Sequence, residues 1–139
     1  MLKRSTLVLV ISSVAFTAQA NLTDASSPCQ MNTAILELDT DKFSHQENRW
    51  TLVKGQQEVV FSGSRYAGNH QHREQLCLDD GDYTLTVEDN YGDGLSEGHY
   101  RLMVNQQTLA EGADFGYRNV HSFTLGQGKT QAPTTQPGE

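Results

Sequence analysis

The sequence of 139 residues predicts an all-β fold: a single antiparallel β-sandwich of about eight strands with jelly-roll or Greek-key connections. Three observations carry that expectation. Apolar side chains recur at every second position in short runs, and turn-forming residues separate the runs. No segment offers the helical periodicity, over about ten to twelve residues, that a crossover helix needs. Many short strands at this spacing indicate a sandwich rather than a parallel sheet.

Taken in order, the strands begin with "AILEL" (34–38), "RWTLVK" (49–54), "EVVFS" (58–62) and "EQLCL" (74–78). The clearest alternation follows in "DYTLTVED" (82–89), which sets Tyr83, Leu85 and Val87 on one face and Thr84, Thr86 and Glu88 on the other. "HYRLMVN" (99–105) repeats the pattern with Tyr100, Leu102 and Val104, and "QTLAE" (107–111) and "VHSFTL" (120–125) complete the set. Turn chemistry lies between them at Lys54-Gly55, Asp79-Asp80-Gly81, Asn105-Gln106 and Glu111-Gly112, with longer loops at 63–69 and 89–98. Trp50, Phe61, Tyr83, Leu85, Val87, Tyr100, Leu102, Phe115 and Phe123 are the expected core.

The ends read differently. "MLKRSTLVLVISSVAFTAQA" (1–20) has a basic start, an apolar run and a small-x-small ending, the pattern of a secretory signal peptide. A loose N-terminal segment (21–32) is expected to lead into the sandwich (33–126). Beyond it "GQGKTQAPTTQPGE" has no aliphatic side chain larger than alanine, so residues 127–139 are expected to be disordered. No later stretch is apolar enough to span a bilayer, so membrane insertion is not expected. The export signal implies a secreted or periplasmic protein.

Without Lys3 and Arg4, eight basic side chains face 17 acidic ones, a net charge of about −9 with histidines neutral. Such a surface repels phosphate backbones and favours cations, which argues against nucleic acid as a partner. Cys29 and Cys77 are the two cysteines, and in an exported chain they are expected to form a disulfide. Closing a loop of that length stabilises a fold by about 4 kcal/mol in the chain-entropy model.

The stretch "DNYGDGLSEG" (89–98) carries the chemistry. Calcium takes about six to eight oxygen ligands, and alternating acids with glycines on a tight turn supply them. With Asp89 as the first position, Asp93 is fifth, Gly94 sixth, the Leu95 carbonyl seventh and Glu97 ninth, in partial agreement with an EF-hand loop. Tyr91 and Tyr100 stand at the third and twelfth positions and strands flank the loop, so it is not an EF-hand. A second acidic group, Asp39, Asp41 and Glu47 in "DTDKFSHQE", follows the first strand. Loops at one end of a sandwich cluster, so these carboxylates are placed to complete a shell begun by Asp89 and Asp93, and a bound cation would remove their repulsion.

Three other patterns compete with this reading. Gly94-Leu95-Ser96-Glu97-Gly98 fits the G-x-S-x-G pattern of serine hydrolases, but a strand follows Ser96 where a nucleophile elbow needs a helix. A triad of Ser96, His99 or His121, and Asp114 would have to assemble without that elbow. His70 and His72 form an H-x-H pair that binds zinc or copper when a third ligand converges. Asp89 and Asp93 share one loop and so do not face each other across a cleft as glycosidase carboxylates do.

"DNYGDG", preceded by "DYTLTVE" and followed by "GHYRLMVN" and "EGADFG", resembles a secreted β-sandwich module with a D-x-Y-G-D-G calcium-type loop found in extracellular bacterial proteins. The likeness covers residues 34–125. It implies a β-sandwich with a calcium-type loop, and it does not imply an enzyme. Two departures stand out: Leu95-Ser96-Glu97 occupy positions where many such modules carry cysteines, and the spacing from Asp41 to Glu47 is about one residue longer than theirs. The expectation is therefore an exported calcium-binding module whose metal-ordered loops bind a protein or glycan. Its alternatives are a structural, escort or inhibitor factor for a secreted protease, and a small serine hydrolase.

Overall fold

The computed structural model describes residues 29–126 and 131–137, so the expected signal peptide and the segment up to residue 28 lie outside the described residues. The described residues form nine strands and one short helix. In chain order these are β1 (Asn32–Asp39), α1 (Ser44–Glu47), β2 (Asn48–Lys54), β3 (Glu58–Ser64), β4 (Gln71–Leu78), β5 (Gly81–Asp89), β6 (His99–Val104), β7 (Gln107–Gly112), β8 (Arg118–Leu125) and β9 (Gln131–Pro137). They make two sheets, ordered β4-β1-β6-β7 and β3-β2-β5-β8-β9. Every pairing is antiparallel.

The two orders are the same path seen in two layers. β1 and β2 run as a ribbon with one strand in each sheet. The β3–β4 ribbon pairs along one side of it and the β5–β6 ribbon along the other, and β7–β8 adds to β5–β6. This interleaving is of the Greek-key kind rather than a meander. One consequence positions the site: the connections β1–β2, β3–β4, β5–β6 and β7–β8 all cross at the same end. The register shows it, because Asp39 pairs with both Gln71 and His99, Asn48 with Asp89, and Glu88 with Arg118.

Alternation puts the core between the layers. Leu36 and Leu38 from β1, Leu102 from β6, and Leu52, Leu85 and Val87 from the other sheet are each almost fully buried. Burying one such side chain stabilises the fold by about 1.5–3 kcal/mol. Of the expected core, Phe61 and Phe115 are only partly buried and pack at its margin. One polar bridge ties the layers together. Tyr100 Oη from β6 lies 2.6 Å from His121 Nε2 of β8 and accepts a hydrogen bond from Asn119 Nδ2 at 2.7 Å. A second polar contact links Trp50 Nε1, which donates to Tyr66 Oη at 2.9 Å, and burial pushes the Tyr66 phenol up to about 12.

Cys29 and Cys77 form the expected disulfide, with Cα atoms 5.5 Å apart, and fasten the start of the domain to β4. The tail departs from expectation. Residues 131–137 form β9 on the free edge of β8 instead of being disordered. Edge pairing uses backbone groups alone and needs no large apolar side chain. Ala132 and Pro133 fall where the ladder skips from Ser122–Thr134 to Thr124–Gln131, a bulge that tolerates the missing proline N–H. Residues 127–130 and 138–139 lie outside the described residues.

Candidate metal centre

β5 delivers Asp89 to the loop end with its side chain on the inward face, in phase with Leu85 and Val87. It is 3% exposed. The carboxylate gathers the following turn onto itself. Oδ2 accepts the backbone N–H groups of Gly92, Asp93 and Gly94 at 2.8, 2.9 and 3.0 Å. Oδ1 has only a longer contact from the Tyr91 N–H at 3.3 Å. Gly92 and Gly94 take φ of 86° and 70°, a region that glycine enters without steric cost. These glycines let three successive amides converge on one oxygen, leaving Oδ1 with the lone pairs to spare.

The β1–β2 loop brings the second carboxylate. Asp41 Oδ1 accepts hydrogen bonds from the Phe43 N–H and the Ser44 hydroxyl, both at 2.9 Å, and so fixes the turn into α1. The last residue of α1 is Glu47, which is buried. Asn90 locks the two loops together: its N–H donates to the Glu47 carbonyl at 3.1 Å and its Nδ2 to the Gln46 carbonyl at 3.3 Å. The result is a cluster of Glu47, Asp89 and Asp93 whose ligand-grade oxygens lie within 4.8 Å of one another.

Electrostatics mark the cluster as short of positive charge. Burial, and then repulsion from Asp89, Asp93 and Asp41, pushes the Glu47 carboxyl up from its ordinary value. Asp93 is exposed, and the Ser96 hydroxyl, donating to its Oδ2 at 2.9 Å, chiefly holds its carboxyl below the ordinary range. No lysine or arginine forms an ion pair with any of the three among the described residues. Three hard oxygen donors suit calcium, magnesium or manganese better than zinc or copper, which favour nitrogen and sulfur.

Asn48, which the sequence reading missed, stands beside Asp89. It pairs with Asp89 across β2 and β5, so both side chains share the inward face. Its Nδ2 donates to the Gly94 carbonyl at 3.1 Å, while its Oδ1 is buried without a partner. A buried amide oxygen left unpaired costs about 1–3 kcal/mol unless something occupies it. The signal was present in the sequence: Asn48 is in phase with Trp50 and Leu52, a polar residue at a core position.

The other expected ligands sit outside the cluster. Asp41 is spent on the turn into α1, and Glu97 is exposed. The Leu95 carbonyl, expected at the seventh position of a calcium loop, accepts the Gly98 N–H at 2.6 Å, while the Leu95 side chain is fully buried. Ser96, His99 or His121, and Asp114 do not assemble as a hydrolase triad. The Ser96 hydroxyl bonds to Asp93, His121 Nε2 to Tyr100, and His99 lies beside Asp39. His70 and His72 have ring centroids 4.9 Å apart, and among the described residues no third ligand joins them. No family model, curated protein or solved structure matches the chain.

Proposed function

We propose that the protein is an exported module in which a calcium ion, held by Glu47, Asp89 and Asp93, orders the loop end of the sandwich as a docking surface for a protein or glycan. The observation that carries this reading is the gathering of two buried carboxylates and a third exposed one within 4.8 Å, on loops from both sheets. Asn48 Oδ1 supports it as a further oxygen of the right hardness with no other partner. Asp93, the exposed member, faces solvent and leaves the ion open on that side. The disulfide supports export, since such bonds persist in oxidising compartments.

Terbium, a trivalent stand-in for calcium that emits when a nearby tyrosine absorbs, tests the site directly. Tyr91 lies within the loop and is positioned as the sensitiser. The expected outcome is sensitised emission that calcium reverses and that Glu47→Gln and Asp93→Asn each abolish. Emission indifferent to both substitutions would place the ion elsewhere and overturn the reading.

A further inference from the structure

Two tyrosines stand out from the loop end. Tyr91, in the β5–β6 loop, is 71% exposed, and Tyr117, which closes the β7–β8 loop, is 61% exposed. Both belong to the unit organised by Asp89. The Asp89 N–H donates to the Tyr117 carbonyl at 2.9 Å, and the Asp89 carboxylate receives the amides that follow Tyr91. The Tyr117 ring is laid over Gly92. A β-carbon at that position would sit 2.5 Å from Cζ and 2.7 and 2.8 Å from Cε2 and Cε1, a placement over the ring face. Glycine therefore covers one face of the ring, and Tyr117 stays largely exposed.

The surroundings decide what such rings can hold. On the same two loops Asn90, Asp93, Ser96 and Asp114 are exposed, whereas Leu95 is fully buried. The core of a protein interface is more apolar than the surrounding surface, and Tyr91 and Tyr117 among these polar groups offer little of it. Attachment to an anionic membrane needs clustered basic residues, and this chain carries a net charge of −7. A pyranose ring meets the arrangement on both counts: its C–H face stacks on an aromatic face while its hydroxyls reach the surrounding carboxylates and amides. A neutral sugar also meets no repulsion from the acidic loops. Rigid rings on a hydrogen-bonded loop lose little conformational entropy on binding.

We propose that Tyr91 and Tyr117 form a binding platform for a neutral glycan. This names the partner class of the docking surface described above and rests on that reading. The test is affinity electrophoresis of the protein in native gels containing mannan, laminarin, dextran or xyloglucan, in calcium and in EDTA, with alginate as the acidic comparison. At least one neutral polysaccharide should retard the wild type, and Tyr91→Ala and Tyr117→Ala should each weaken that binding about tenfold. Tyr91→Ala should leave the melting temperature unchanged, which separates lost binding from lost folding. Retardation by none of the neutral polysaccharides, or by alginate alone, would overturn the proposal, as would undiminished binding by both variants. Equal retardation in calcium and EDTA would uphold the platform and remove the cation from it. A calcium-raised melting temperature without retardation would keep the cation and overturn the platform.

Discussion

Asp89 Oδ2 builds the turn, while Oδ1 has only the longer contact from the Tyr91 N–H and is the oxygen proposed to meet a cation. Asp89→Asn keeps the size but puts an N–H₂ group where one of the acceptors stood, facing amides that need an acceptor. Losing charge-assisted bonds of this kind costs about 1.5–3 kcal/mol. Urea denaturation of Asp89→Asn should therefore show a lower midpoint even in EDTA, whereas Asp93→Asn should show little change there. Gly98 tests the same turn from its far side. A β-carbon at that position would fall on the Asp39 carbonyl, so Gly98→Ala should destabilise by roughly 2 kcal/mol or more. His121 gives the residue scale a pH dependence. Burial holds its pKa below the ordinary 6.5, and Nδ1 has no partner. The folded ring stays neutral while the unfolded chain takes up a proton, so stability from this group is lost as pH falls below about 6.5. His121→Gln should flatten that part of the urea midpoint against pH.

Among the elements, the strands were legible and the loops only in part. All eight expected strands occur within a few residues of their expected bounds, because period-two alternation is imposed by burial on one face and needs no partner to be recognised. β9 was not legible, since pairing at an edge leaves no apolar signature. In the β5–β6 loop, Asp89, Asp93 and the glycines were readable from turn chemistry. Leu95 was read as a carbonyl donor, and its side chain proves to be the plug that seats the loop in the core. Leu95→Ala should cost about 2–5 kcal/mol in urea denaturation and weaken cation binding in the same protein. α1 is too short for helical periodicity to reveal, so the burial of Glu47 came only with the fold. Its raised pKa sets a competition between proton and cation. The gain in stability from calcium should shrink as pH falls towards the Glu47 pKa, because a protonated Glu47 no longer attracts the ion.

For the whole molecule, the winding of ribbons across two sheets explains why carboxylates far apart in sequence meet. The pairs β1–β2, β3–β4, β5–β6 and β7–β8 each straddle the layers, so four crossing loops collect at one end, and the acidic residues of two of them share it. The sandwich was predictable from spacing, and the meeting of its acidic loops at one end was expected from that fold, but which ribbons pair to bring it about was not legible in the sequence. The disulfide acts at the same scale from near the other end of β4. Replacing both cysteines by serine should lower stability by about 4 kcal/mol without altering cation affinity, which urea denaturation and terbium titration would check together.

The central claim is that a cation relieves the repulsion of Glu47, Asp89 and Asp93. The direct measurement is thermal unfolding of the wild type and Glu47→Gln, each in EDTA and in calcium. Calcium should raise the wild-type melting temperature. Glu47→Gln should melt higher than wild type in EDTA, because the repulsion is already gone, and gain nothing from calcium. An unchanged wild-type melt in calcium, or an equal gain in the variant, would contradict it.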